Sequence, residues 1–169
     1  MRVMFKVVDR LLERVRLDLA RPHEFAAERV GFLVCRAASL EREGIVVLAH
    51  DYSPVEDEDY VDDPTVGAMM GPAAIRKALE FVLNNKAGMF HVHMHDHHGR
   101  PRFSRIDARE SAKFVPDFWN VRPGMPHGAL VVSTDSVWGM CWYPGISAPV
   151  EISEFVVVGS PMVLVRNPS

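Results

Sequence analysis

Met89-Phe90-His91-Val92-His93-Met94-His95 alternates along its length, and alternate side chains on a strand share a face. The segment therefore reads as a strand that turns His91, His93 and His95 the same way. Upstream, Pro72 can open a helix at its first turn, and Ile75, Leu79, Val82 and Leu83 form a helical stripe to about residue 84, closed by Asn84-Asn85-Lys86-Ala87-Gly88. Downstream, Gly99-Arg100-Pro101 reads as a loop, a short helix runs from near Ser104 through Ala112, and residues 116–127, with Pro116, Pro123 and Pro126, read as loop. Val8, Leu11, Leu12, Val15 and Leu19 predict a helix over 7–19, ended by Pro22. Val30–Ala37 and Gly44–Ala49 read as strands around a polar turn at 39–43. Ala129–Ser133 and Val137–Tyr143 read as strands around Thr134-Asp135-Ser136, and Phe155–Val158 with Met162–Val165 as a final hairpin split by Gly159-Ser160-Pro161. This order predicts one α/β domain, a mixed β-sheet flanked by helices.

The composition bounds what that domain does. A chain of 169 residues suits a single domain over 1–169, and 48% apolar residues supply a core without staples. A net charge of −3 argues against nucleic acid, which leaves a basic footprint. Cys35 and Cys141 each sit in an apolar run, so they read as buried thiols rather than a disulfide scaffold. Charges interrupt Met1–Arg10, so no signal-peptide core is expected there, and no stretch approaches the roughly 20 apolar residues of a membrane span. The expectation is a cytoplasmic protein with no membrane segment. Residues 51–65 carry Asp51, Glu56, Asp57, Glu58, Asp59, Asp62 and Asp63 with Pro54 and Pro64 among them. They read as a loop, either simply solvated or a docking surface for a basic partner.

Five of the eight histidines lie within residues 91–98. Neutral imidazole is the commonest metal ligand, and two histidines two residues apart on a strand end can reach one ion. Asp107 from the following helix completes a three-ligand set and leaves a fourth position open for water, as catalytic zinc sites require. A lone histidine is more often packed or exposed, and a His-rich tract can bind metal adventitiously. Three structural imidazoles on one strand face, however, would each cost about 1–3 kcal/mol if unpaired. His97 and His98 read as exposed loop residues.

The pattern resembles the JAMM motif of the JAB/MPN metalloprotease family: a distant Glu, then His-x-His, a spacer, and Ser-x-x-Asp. Glu28-Arg29-Val30-Gly31-Phe32-Leu33-Val34 is similar to the family's Glu-bearing strand start. Gly99-Arg100-Pro101-Arg102-Phe103-Ser104 is similar to a turn of bacterial members. The spacer before Ser104 is eight residues from His95, or ten from His93. The family's Pro after the second histidine is absent in both registers, Asp96 standing there in one and Met94 in the other; His93/His95 is the preferred ligand pair because Met89-Phe90-His91-Val92 then forms the strand leading in and the spacer stays short, and His91 is the alternative ligand. In the preferred register His91 would support the ligands from behind or face substrate. The resemblance spans roughly residues 7–145, with the hairpin at 150–166 beyond it, and implies MPN/JAB-like layering of the cytidine-deaminase-like kind.

The resemblance also implies a zinc metallopeptidase with one Zn2+ per chain. His93, His95 and Asp107 would hold the metal. Glu28 would be the general base. Ser104 would donate to the oxyanion, beside its reading as a helix N-cap. Family members act at the C-terminal tail of ubiquitin or ubiquitin-like proteins. Small bacterial members accompany ubiquitin-like conjugation operons, including antiphage ones, or sulfur-carrier processing. The expected partner is thus a ubiquitin-like protein or its conjugates, with operon-encoded activating and conjugating enzymes. A metal-free MPN scaffold and a peptidase trimming a sulfur-carrier precursor are the alternatives. Other nucleophiles read as weaker: Ser133 lacks a Gly-x-Ser-x-Gly elbow, and Cys35 has an apolar setting. Pro116-Asp117-Phe118-Trp119-Asn120 with Trp138 or Trp142 would line a groove, or serve the core.

Overall fold

The computed structural model describes residues 2–40, 44–146 and 148–166. Val3, Phe5 and Val7 alternate with half-exposed Arg2, Met4 and Lys6, and this period of two makes Arg2–Val8 a strand, β1. The helical period starts only at its end, so α1 covers Asp9–Leu19 and buries Leu11, Leu12, Val15 and Leu19. The expected helix over 7–19 thus begins two residues later, behind a strand whose short alternation the helical stripe obscured.

β2 (Val30–Ser39) and β3 (Gly44–Pro54) follow. β3 takes in residues 51–54, which the sequence reading assigned to the acidic loop, because Tyr52 is buried in the core and Asp51–Pro54 pair with Gly31–Val34. The rest of that loop is more structured than a solvated run: Asp57–Asp59 forms a 3-10 turn and Tyr60 bridges to Met70. Asp57 accepts from Arg29, and the buried Asp59 from Lys77.

α2 (Pro72–Asn85) opens with its proline and ends on Lys86, whose φ of 50° terminates it. β4 is Gly88–Met94. α3 runs Arg105–Val121, well past the expected stop at Ala112. Its core stripe, Ser111, Val115 and Phe118, spans Pro116, and its burial outweighs the single backbone hydrogen bond the proline removes. β5 (His127–Val132), β6 (Val137–Trp142), β7 (Val150–Glu151), β8 (Glu154–Val158) and β9 (Val163–Arg166) complete the chain.

All nine strands form one mixed sheet, in the order β7-β6-β5-β4-β2-β3-β1-β8-β9. The pairs β1–β3, β1–β8 and β4–β5 are parallel. α1 packs on one face with Phe5, Val47, Phe90 and Val92; α2 and α3 pack on the other with Phe32, Val34 and Met89. The fold is a single α/β domain. No helix among the described residues is long and apolar enough to cross a membrane.

Candidate metal centre and cleft

Register brings the candidate residues together. In the antiparallel pair β2–β4, Val30 faces His93. Glu28, two residues before Val30, therefore lies beside His95, two residues after His93. On the other side β5 runs parallel to β4, and the His95 amide continues that ladder by donating to the Val132 carbonyl at 2.9 Å. The crossover between these parallel strands is α3, whose first turn returns to the end of β4 carrying Asp107. The site thus sits outside the carboxyl end of a parallel strand, where open α/β sheets place their crevices.

His93 Nε2 and His95 Nε2 lie 3.2 Å apart. Asp107 Oδ2 is 3.5 Å from the first and 3.9 Å from the second. Glu28 Oε1 is 3.9 Å from His95 Nε2, and Glu28, His93 and His95 offer donor atoms all within 4.8 Å of one another. Donors about 2.1 Å from a tetrahedral zinc are separated by about 3.4 Å, so the triangle of His93, His95 and Asp107 has the edges such a site needs. A hydrogen bond between two imidazoles accounts for the first distance but not for two carboxylates converging on it. The residues fit a divalent ion. His91 belongs to no such cluster among the described residues.

Asp107 is fixed by the cap of its own helix. Ser104 is the N-cap: its Oγ accepts from the Asp107 amide at 3.1 Å, and Asp107 Oδ2 accepts from the Ser104 amide at 2.7 Å. The Ser-x-x-Asp spacing is therefore a capping box, and it aims the carboxylate at the histidines. Burial acts to raise the Asp107 carboxyl, but the neighbouring His93 and the bonds to Ser104 outweigh it and hold the group well below the usual carboxylate range. Burial and His93 push the His95 imidazole down, toward the neutral form a metal needs. His93 is 2% exposed and stacks on Phe103 at 5.8 Å; its Nδ1 has no partner among the described residues. Packing, not the hydrogen bond that often orients a ligating imidazole, holds this ring.

Supporting residues escaped the sequence reading. Arg29 is 3% exposed and donates to the Arg21 and Pro22 carbonyls and to Asp57, which anchors the segment bearing Glu28. The Gly67 carbonyl accepts from the Ala27 and Glu28 amides, and a Cβ at Gly67 would come within 3.0 Å of the Glu28 carboxyl group. Ser133 Oγ donates to the Gly99 carbonyl, and Asp135 accepts from the Gly99 amide, tying the loop after His95 to the β5–β6 turn. Only Gly67 left a signal in sequence, a glycine among apolar residues. His97 and His98 are exposed, as expected.

A cleft of 540 Å³ opens beside the cluster. Glu28, His93 and Asp107 lie along it; α3 and residues 63–70 form walls, and His91 and Val30 also line it. Of the aromatic segment expected to form a groove, only Asp117 lines this cleft; Phe118 is core, and none of the three tryptophans faces it. Burial raises the Cys35 thiol well above its ordinary value, which leaves it unreactive. No protein-family model matches the chain, and no curated protein matches it.

Proposed function

We propose that this chain is a zinc-dependent peptidase or isopeptidase of the JAMM type, cleaving an amide bond after the C-terminal tail of a ubiquitin-like protein. The observation that carries the reading is the convergence of His93, His95 and Asp107 on one point, with the Glu28 carboxylate beside it and a cleft leading in. The choice of a ubiquitin-like substrate rests on the resemblance of the motif. A cytoplasmic setting goes with it and suits two free, buried cysteines.

A bound zinc ion would polarise the scissile carbonyl and lower the pKa of a water molecule there. Glu28 Oε1 takes the proton of the attacking water and delivers it to the leaving amine. Ser104 Oγ accepts from the Asp107 amide, and its own proton, which has no acceptor among the described residues, would donate to the oxyanion. Asp107 stays ionised throughout, and residues 63–70 wall the cleft beside Glu28.

The test is cleavage of ubiquitin-like proteins carrying C-terminal extensions, with and without a chelator. Wild type cleaves, and the chelator stops it. Glu28→Gln loses at least about a thousandfold in kcat while keeping one zinc per chain. Loss of zinc in that variant would make Glu28 a ligand, and unchanged activity would end its role as base.

A further inference from the structure

Residues 20–29 link α1 to β2 without forming a helix or strand, yet they bring Glu28 to the cleft. Backbone of this kind is placed by what its amides and carbonyls bond to. Four successive amides are taken up by two acceptors. His23 Nδ1 accepts from the Phe25 amide at 3.3 Å and from the Ala26 amide at 3.1 Å. The Gly67 carbonyl accepts from Ala27 at 2.8 Å and from Glu28 at 3.1 Å. The His23 ring lies 4.5 Å from the rings of both Phe25 and Tyr60, and the Tyr60 hydroxyl bonds to Val30 at the start of β2. His23 Nε2 is buried with no hydrogen-bond partner among the described residues. A phenylalanine would keep the ring contacts without stranding that nitrogen, so what the histidine adds is the acceptor Nδ1.

We propose that His23 is a positioning residue, whose Nδ1 fixes the backbone that carries Glu28 and so sets the place of that carboxylate beside His95. Asparagine commonly makes the same bonds: its side-chain oxygen, attached to Cγ as Nδ1 is, accepts from the amides two and three residues on. His23 makes that turn with a ring large enough to reach Tyr60 as well. Without Nδ1, two of the four amides lose their acceptor, and the segment is held only by the Gly67 carbonyl and by Arg29, which donates to the Arg21 and Pro22 carbonyls and to Asp57. A base must stand within hydrogen-bond reach of the water it deprotonates, and a displacement of about 1 Å there is costly in rate. The catalytic consequence rests on the peptidase reading; the placement of Glu28 by His23 does not.

Two substitutions separate the acceptor from the ring: His23→Phe keeps the ring and loses Nδ1, and His23→Asn keeps an acceptor and loses the ring. Amide hydrogen exchange is followed by NMR on the purified chains. In His23→Phe the amides of Phe25, Ala26, Ala27 and Glu28 are expected to exchange about tenfold or more faster than in wild type, and in His23→Asn to stay within about threefold of it. Both variants are expected to keep one zinc per chain. On a cleaved ubiquitin-like substrate, His23→Phe is expected to lose about tenfold or more in kcat with KM within about twofold, and His23→Asn to recover most of that loss. If His23→Phe does not fold, His23→Ala takes its place in the same comparison. Unmoved exchange at Ala27 and Glu28, an unmoved kcat, loss of zinc, or a His23→Asn protein as impaired as His23→Phe overturns the assignment. If no substrate is cleaved, the peptidase reading fails and the exchange rates alone decide the role of His23.

Discussion

Asp107 serves two neighbours at once. One oxygen caps the helix it belongs to and faces two imidazoles. Asp107→Asn retains an acceptor for the cap and loses the charge, so zinc affinity is expected to fall by more than the roughly 10- to 100-fold that loss of a residue merely orienting a ligand costs, with little change in stability. Asp107→Ala loses both, and urea unfolding of the metal-free protein should show a further cost of about 1 kcal/mol. At this scale much of the site was legible: His-x-His with Ser-x-x-Asp fixes a strand end facing a helix start. The preference for His95 over His91 had less to rest on, because alternation alone puts both on the face of His93; in the fold it is His95 that lies near Glu28 and Asp107, a proximity that belongs to tertiary structure.

Elements carry the site residues, and their boundaries show what pattern reading misses. β1 hid behind the stronger period of α1, and it pairs in parallel on both sides with strands distant in sequence. α3 passes through Pro116 because the burial of Val115 and Phe118 overrides a local helix breaker. Glu28 depends on such context as well. Residues 63–70 hold it through the Gly67 carbonyl, and a Cβ at position 67 would press on the Glu28 carboxyl group and shift it by a few tenths of an ångström. Gly67→Ala is expected to lower kcat/KM about tenfold through misplacement of the base, with zinc content unchanged. Steady-state kinetics on a cleaved substrate would check this, and a variant as active as wild type would remove residues 63–70 from the mechanism.

Across the whole molecule, one sheet with helices on both faces buries titratable groups along with the core, and this gives a pH dependence. Burial pushes His127 down to about 4, against an ordinary 6.5, and the hydrogen bond to Arg122 only partly opposes this. Between those values the unfolded chain takes up a proton that the folded chain refuses, so stability falls as pH drops from 6.5 toward 4 and this contribution levels off below. Complete titration is worth about 3 kcal/mol, and urea unfolding at several pH values should show a loss smaller by about that amount in His127→Gln than in wild type, the remainder coming from His91 and His95, which burial also pushes down. The most direct measurement of the central claim is zinc stoichiometry by titration of the metal-free protein and its variants. The account predicts one ion per chain in wild type, Glu28→Gln and His91→Phe, and no stoichiometric binding in His93→Ala or His95→Ala. Retention of zinc by His95→Ala together with its loss in His91→Phe would contradict it.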